Sequence, residues 1–185
     1  VRGNHDRCLL DTGEMDDWDR AAPPQLDAAT LDWLTDLPAT ATLGDAFLCH
    51  ATPQDDLSYW LEATQRGGPI VRATLDHIAG RADGIAQGLM LCGHTHVPRT
   101  VHLADGRLVV NPGAVGCPGF VDPTPPVPHR MCTGTPFASY AILDHARDGW
   151  AVAHRHLPYD TAPAVARARA AGFDDWAQVL ATGWL

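Results

Sequence analysis

Three short segments of this chain carry side chains suited to binding metal ions and moving protons. They are Gly3-Asn4-His5-Asp6 at the start, His50, and Gly93-His94-Thr95-His96. Neutral imidazole, amide oxygen and carboxylate oxygen are borderline ligands that suit Mn, Fe, Zn or Ni. In an extended segment, residues i and i+2 project to the same side, so His94 and His96 are expected to reach one site. The glycine that opens each tetrapeptide lets the backbone turn sharply and approach closely, because no Cβ is in the way. Arg2 and Arg7 flank the first segment, and guanidinium groups match the geometry of phosphate oxygens. Arg99 and Arg130 offer the same chemistry without a motif beside them.

These segments need elements to position them. Residues 27–37 place Leu31, Leu34 and Leu37 near helical spacing, with Asp27 as a cap and Pro38 as the stop. Thr42-Leu43 and residues 46–49 read as two strands joined at Gly44-Asp45, which leaves His50 just past the second. Residues 69–81 read as a helix opened by Pro69, with Val71, Thr74, Leu75 and Ile78 on one face. The short apolar run 88–92 reads as a buried strand that delivers Gly93-His94-Thr95-His96. Strands are expected at 99–103 and 107–110, turning at Ala104-Asp105-Gly106, and a second hairpin at 137–143 and 150–156. Two short helices, 162–171 and 174–181, should dock through Phe173, Trp176, Ala177 and Leu180.

Between these elements, residues 7–26 are rich in Asp and Glu and read as a solvated acidic loop, Asp11 to Asp19 being its core. Residues 51–68 are polar and irregular, with Tyr59 and Trp60 expected to pack rather than to bind. Residues 111–136 hold seven prolines and read as a long ordered loop. Hairpins mixed with strand–helix–strand passages indicate an α+β layered domain rather than a pure parallel sheet. We expect one domain over residues 1–185, with 158–185 as a C-terminal helical extension packed on it.

Composition narrows the function. The 185 residues carry 13 basic groups, all Arg, against 22 acidic ones, a formal net charge of −9. Nucleic acid or an anionic membrane would call for a basic footprint, so neither is expected as a partner. No apolar run is long enough to span a bilayer. The five cysteines, Cys8, Cys49, Cys92, Cys117 and Cys132, are odd in number and lack a CxxC pair, which suits a reducing cytoplasm. The chain opens on Val1 rather than Met, directly on the first motif. We therefore expect it to be cut there.

Gly3-Asn4-His5-Asp6, His50 and Gly93-His94-Thr95-His96, in that order, resemble the later motifs of the calcineurin-like metallophosphoesterase superfamily. Asn111-Pro112-Gly113-Ala114-Val115-Gly116 and Leu157-Pro158-Tyr159-Asp160 resemble segments of its small bacterial phosphodiesterase branch. The resemblance implies a layered α/β/β/α fold, a β-sandwich flanked by helices whose first strands are missing from this chain, and a centre of two divalent metal ions, manganese favoured. By the same resemblance Asn4, His50 and His94 would bind one metal and His96 the other. His5 would be the acid at the leaving-group oxygen, oriented by Asp6, and Arg2 and Arg7 would touch a small phosphoester substrate. Hydroxide generated between the metals would attack phosphorus in line. The family's earlier Asp-x-His and Gly-Asp motifs match no segment here, so weak metal binding is expected.

Other readings follow from the same residues. A structural zinc site could draw on Cys49-His50 and Cys92-x-His94-x-His96, but closed zinc sites favour close-spaced ligand pairs, and Cys49 should point away from His50. A non-catalytic remnant of the fold, acting as a binding or regulatory module, is the alternative outside enzymology. Within enzymology, a protein or dinucleoside-polyphosphate phosphatase shares the metal chemistry. The other histidines read as surface or strand positions, with His129 the one placed to reach a substrate. A sheet edge and an apolar face uncovered by missing strands would make the chain poorly soluble or a homo-oligomer.

Overall fold

A computed structural model describes residues 1–11, 17–65, 70–123 and 127–185. The chain begins with α1 (Asn4–Leu10), α2 (Asp17–Ala21), a 3₁₀ turn at Pro23–Gln25 and α3 (Ala28–Asp36). It continues through β1 (Thr40–Leu43), β2 (Ala46–Cys49), β3 (Glu62–Ala63), β4 (Val71–Arg72), α4 (Leu75–Arg81), β5 (Leu89–Leu91), β6 (Arg99–His102) and β7 (Leu108–Asn111). Two hairpins follow, β8 (Gly119–Asp122) with β9 (His129–Cys132), and β10 (Ala138–Ala146) with β11 (Gly149–Leu157), before α5 (Ala162–Ala170) and α6 (Asp174–Thr182).

The central sheet has five strands in the order β1-β2-β5-β7-β6. Strands β2, β5 and β7 run parallel, and β1 and β6 pair antiparallel at its two edges. Side-chain alternation divides these strands between two cores. Cys49, Met90, Val109 and Val101 face a core completed by Trp60, Leu61 and Ile78, the last from α4. Ala46, Leu89, Leu108 and Val110 face the other way, onto Ala141, Leu143, Trp150 and Val152 of the β10–β11 hairpin. The result is a mixed α+β architecture in which the hairpin covers one face of the sheet and α4 with the 58–61 segment covers the other. Among the described residues, no helix is long and apolar enough to cross a membrane.

Most expected elements form, and the departures are instructive. Asp27 caps α3 by accepting from Thr30 N at 2.8 Å. The helix expected over 69–81 starts only at Leu75, because Thr74 caps it through His77 N while Val71 and Arg72 pair with β3 instead. Pro69 lies outside the described residues. The acidic loop expected over 7–26 contains the end of α1, and α2, and Asp19 within it is buried. Residues 12–16 of that run lie outside the described residues. The loop expected over 111–136 contains the β8–β9 hairpin, whose register pairs Phe120 with Met131 and Asp122 with His129. Its prolines leave the ladder intact because Pro118, Pro123 and Pro128 stand just outside the strands, where no ladder hydrogen bond is lost.

The C-terminal helices form their own apolar contact from Val165, Ala168, Ala177 and Leu180, joined by Phe173 and Trp176. Helix α6 also backs the β8–β9 hairpin. A Cβ on Gly119 would lie 2.9 Å from a Val179 methyl and 2.4 Å from the Met131 carbonyl, so only glycine fits there.

Candidate metal centre

The candidate ligands gather at the ends of two adjacent parallel strands. His50 follows β2, and Gly93 N–H donates to the His50 carbonyl at 2.7 Å, which ties the segment after β5 to the segment after β2. His94 and His96 both adopt left-handed backbone conformations, with φ of 65° and 63°. Strand alternation therefore does not bring them together; two consecutive reversals around Thr95 do. Asn111, wholly buried at the end of β7, holds that conformation. Its Nδ2 donates to Gly93 O at 2.6 Å and to Thr95 Oγ1 at 3.0 Å, and its Oδ1 accepts from Gly113 N at 2.9 Å.

Asn4 arrives from the first turn of α1, where its Oδ1 lies 2.8 Å from His50 Nε2. The His50 and His94 rings meet edge to face with centroids 5.1 Å apart. His94 Nε2 donates to the Leu57 carbonyl at 2.8 Å. A carbonyl only accepts, so the proton of this ring sits on Nε2 and Nδ1 keeps its lone pair. His96 is half-buried, its Nδ1 is buried without a hydrogen-bond partner, and Phe120 packs edge-on against its ring at 5.1 Å. Gly3 stands so close that a Cβ there would lie 2.8 Å from the His50 ring.

Burial sets the charge of this cluster. Loss of hydration, reinforced by His94, lowers His50 to about 4. Burial and the neighbouring His94 likewise lower His96 to about 4, against the opposing pull of a backbone hydrogen bond at Cys117. Burial lowers His94 as well, although its bond to Leu57 opposes the shift. Three neutral imidazoles are thus present near neutral pH, the form in which His binds a metal.

His5 and Asp6 are placed differently from expectation. The Asp6 carboxylate accepts from Gly3 N at 2.8 Å, closing the first turn of α1, and does not orient His5. The carboxylate on the His5 ring is that of buried Asp19, 2.7 Å from Nδ1. Arg7 is committed to Asp56 through contacts of 2.8 and 3.2 Å. Arg2 lines a cavity of about 200 Å³ together with Arg7, Thr40, His50 and Thr52. Cys49 is buried, with Sγ directed at the Leu91 carbonyl, and burial pushes its thiol up to about 12. This is the behaviour of a core residue and not of a zinc ligand.

The described donors fit a divalent cation in kind. The lone pair of buried His96 Nδ1 has no other partner, His94 keeps Nδ1 available, and the Asn4 oxygen lies beside His50. Among the described residues, no three His, Cys, Asp or Glu side chains are grouped so as to hold an ion by themselves.

Residues 1–133 match the family model for the calcineurin-like phosphoesterase superfamily domain. The chain belongs to that superfamily. It is similar to a metallophosphoesterase from Sphaerobacter thermophilus, with 25% identity, a TM-score of 0.69, and coverage of 99% of this chain and 76% of that one. A hypothetical protein from Pyrococcus horikoshii shares the fold at a TM-score of 0.69 and 16% identity, covering 99% of this chain and 72% of its own. No curated protein matches the chain. Superfamily membership supports a metal-dependent phosphoesterase in general terms.

Within this superfamily domain, sequence reasoning singled out Asn4, His50, His94 and His96, and the structure brings them to one end of the sheet. It passed over Tyr59, whose ring lies 5.4 Å from that of His94, and Asp19. Neither carried a local signal, since both reach the cluster through contacts distant in sequence. Asn111 stood out within a motif, but its part in clamping the 93–95 turn needs the parallel pairing of β5 and β7.

Proposed function

We propose that this chain hydrolyses phosphodiester or phosphomonoester bonds of small substrates with the help of two divalent cations, manganese favoured. The observation that carries the reading is the convergence of Asn4 with three half-buried, neutral imidazoles, one of which presents an unpartnered Nδ1. Asn4, His50 and His94 would hold one cation and His96 would face the other. When bound, the cations supply charge that neutralises phosphate oxygens and lowers the pKa of water.

The protein groups act around that charge. His5 has a mostly exposed ring whose Nδ1 is held by Asp19, leaving Nε2 to deliver a proton to a departing alkoxide. Such positioned acid catalysis contributes about 10²–10⁴-fold. Arg2 lines the cavity beside His50 and would bind a phosphoryl oxygen, whereas Arg7 positions Asp56 near the His50 and His94 rings, toward whose charged forms Asp56 is attractive. All five cysteines are free thiols, and we place this activity in the cytoplasm.

The test is elemental analysis of the purified chain after loading with Mn²⁺ or Zn²⁺, paired with hydrolysis of nitrophenyl phosphate and bis(nitrophenyl) phosphate. Metal uptake at high Mn²⁺ or Zn²⁺ concentration, weak because no segment supplies the Asp-x-His and Gly-Asp ligands, with turnover of either ester, is the expected result. Loaded protein that turns over neither ester would overturn the reading.

A further inference from the structure

The β8–β9 hairpin touches His96 of the Gly93–His96 turn directly and reaches His94 through Tyr59. Phe120 of β8 packs directly on the His96 ring, with centroids 5.1 Å apart at 75°. His129 of β9 acts through Tyr59. Its Nδ1 donates to the Val127 carbonyl at 2.8 Å, so Nε2 keeps the lone pair and accepts from the Tyr59 hydroxyl at 2.8 Å. Asp122, opposite His129 in the register, lies 3.4 Å from the same hydroxyl. The Tyr59 ring is therefore pinned at its far end while its centroid lies 5.4 Å from that of the His94 ring, the two planes tilted by 58°. Leu57, two residues earlier, accepts from His94 Nε2.

We propose that Tyr59 is a positioning residue for His94, locked by His129, and that the β8–β9 hairpin is a fixed wall of the site. The 57–59 segment sets both the tautomer of His94, through Leu57, and the plane of its ring, through Tyr59. An imidazole presented with its lone pair pre-aimed loses less freedom when it ligates, and partners of this kind are worth about 10–100-fold in metal affinity or activity. The wall is stiff because α6 backs it. The Gly119 backbone has no room even for a methyl between Met131 and Val179, and Gly134 N–H bonds the Gly183 carbonyl at 3.1 Å. The His129 side chain is only 9% exposed. It therefore holds Tyr59 and does not touch substrate.

This inference rests on the metal-site reading but separates from the phosphoesterase reading in its test. Mn²⁺ binding is measured by calorimetry on the full chain carrying Tyr59→Phe, His129→Ala, or both, with thermal melting as a control for folding. We expect each single change to weaken Mn²⁺ binding about tenfold and the double change to weaken it no further, because both break one tether. Phe120→Leu, which keeps apolar volume, should weaken binding independently and additively. Unchanged Mn²⁺ affinity in folded Tyr59→Phe, or full additivity between Tyr59→Phe and His129→Ala, would overturn the proposal. A wild-type chain that binds Mn²⁺ with this pattern but hydrolyses no phosphoester would sink the catalytic reading alone.

Discussion

His5 and Asp19 meet at 2.7 Å, ring Nδ1 to carboxylate Oδ1, although they belong to different helices. The His5 ring is 61% exposed while the Asp19 side chain is 5% exposed, so a buried anion holds an imidazole that faces solvent. A buried carboxylate on Nδ1 fixes the ring's tautomer and orientation. Asp6, adjacent in sequence, instead closes the turn of α1.

The two carboxylates should then separate by assay. Asp19→Asn is expected to lower turnover on alkyl phosphoesters about 10- to 100-fold and to affect nitrophenyl esters less, because a good leaving group needs little protonation. Asp6→Ala should appear instead as a loss of about 1 kcal/mol in stability, the typical worth of a helix cap, with the preference between the two esters unchanged. Steady-state kinetics on both ester types, beside urea denaturation, checks this. Equal losses from the two variants on both esters would remove Asp19 from the role.

Stability should depend on pH through the half-buried imidazoles of the cluster. His50 and His96 titrate at about 4 in the folded chain, below the ordinary value of 6.5. The unfolded state therefore binds more protons between those limits. Their contribution is fully present above pH 6.5 and is lost as pH falls through 4. We expect the melting temperature of the metal-free chain to drop by several degrees between pH 7 and pH 4.5, at about 2–4 °C per kcal/mol for a chain of this size. His96→Gln should flatten the curve. A melting temperature that is constant or rises as the pH is lowered would contradict the assignment.

How much of this was legible before folding depends on how local each feature is. The tetrapeptides around Asn4 and His94 carry their chemistry in consecutive residues, and the strands that deliver His50 and His94 are short apolar runs closed by turns. The fold class followed from hairpins mixed with strand–helix passages. The route by which His94 and His96 meet was not legible, since their left-handed backbone depends on Asn111 reaching across from β7. The β8–β9 hairpin was hidden by prolines that signal loop in a window, yet sit at strand ends where they cost no ladder bond. Asp19 read as solvated because an acidic run usually is; its burial comes from packing against α1, which charge patterning does not report.

Asn111 should be among the costliest single positions. It has no exposed surface, and its amide makes three hydrogen bonds to the turn carrying His94 and to Gly113. Asn111→Ala would remove all three bonds, leaving the Gly113 N–H without its acceptor and the Gly93 carbonyl with only the Thr95 N–H, at about 1–3 kcal/mol for a group left unpaired. Asn111→Asp should cost about as much, because the carboxylate accepts but does not donate to Gly93. Denaturant unfolding gives the stability, and Mn²⁺ calorimetry is expected to show weaker binding in parallel. Full stability and affinity in either variant would mean that the turn holds its shape without the clamp.

Gly3 tests whether His50 must keep its present place. A methyl group there would lie 2.8 Å from the His50 ring, well inside contact distance, and the ring is bounded on its other sides by Asn4 and His94. The Gly3 backbone is otherwise compatible with alanine, having an ordinary extended conformation with φ of −96°. The penalty in Gly3→Ala therefore combines this clash with alanine's poorer fit at the N-cap of α1, and includes no backbone strain. We expect a loss of about 1–3 kcal/mol, the usual cost of forcing atoms into a packed site, and a Mn²⁺ affinity at least tenfold weaker as His50 turns away from Asn4. Gly3→Ala combined with His50→Ala should recover most of the stability, because the smaller side chain removes the clash, but none of the affinity. If the single variant kept normal affinity, His50 would be free to move without loosening the centre, and its place as a ligand of the first cation would fall.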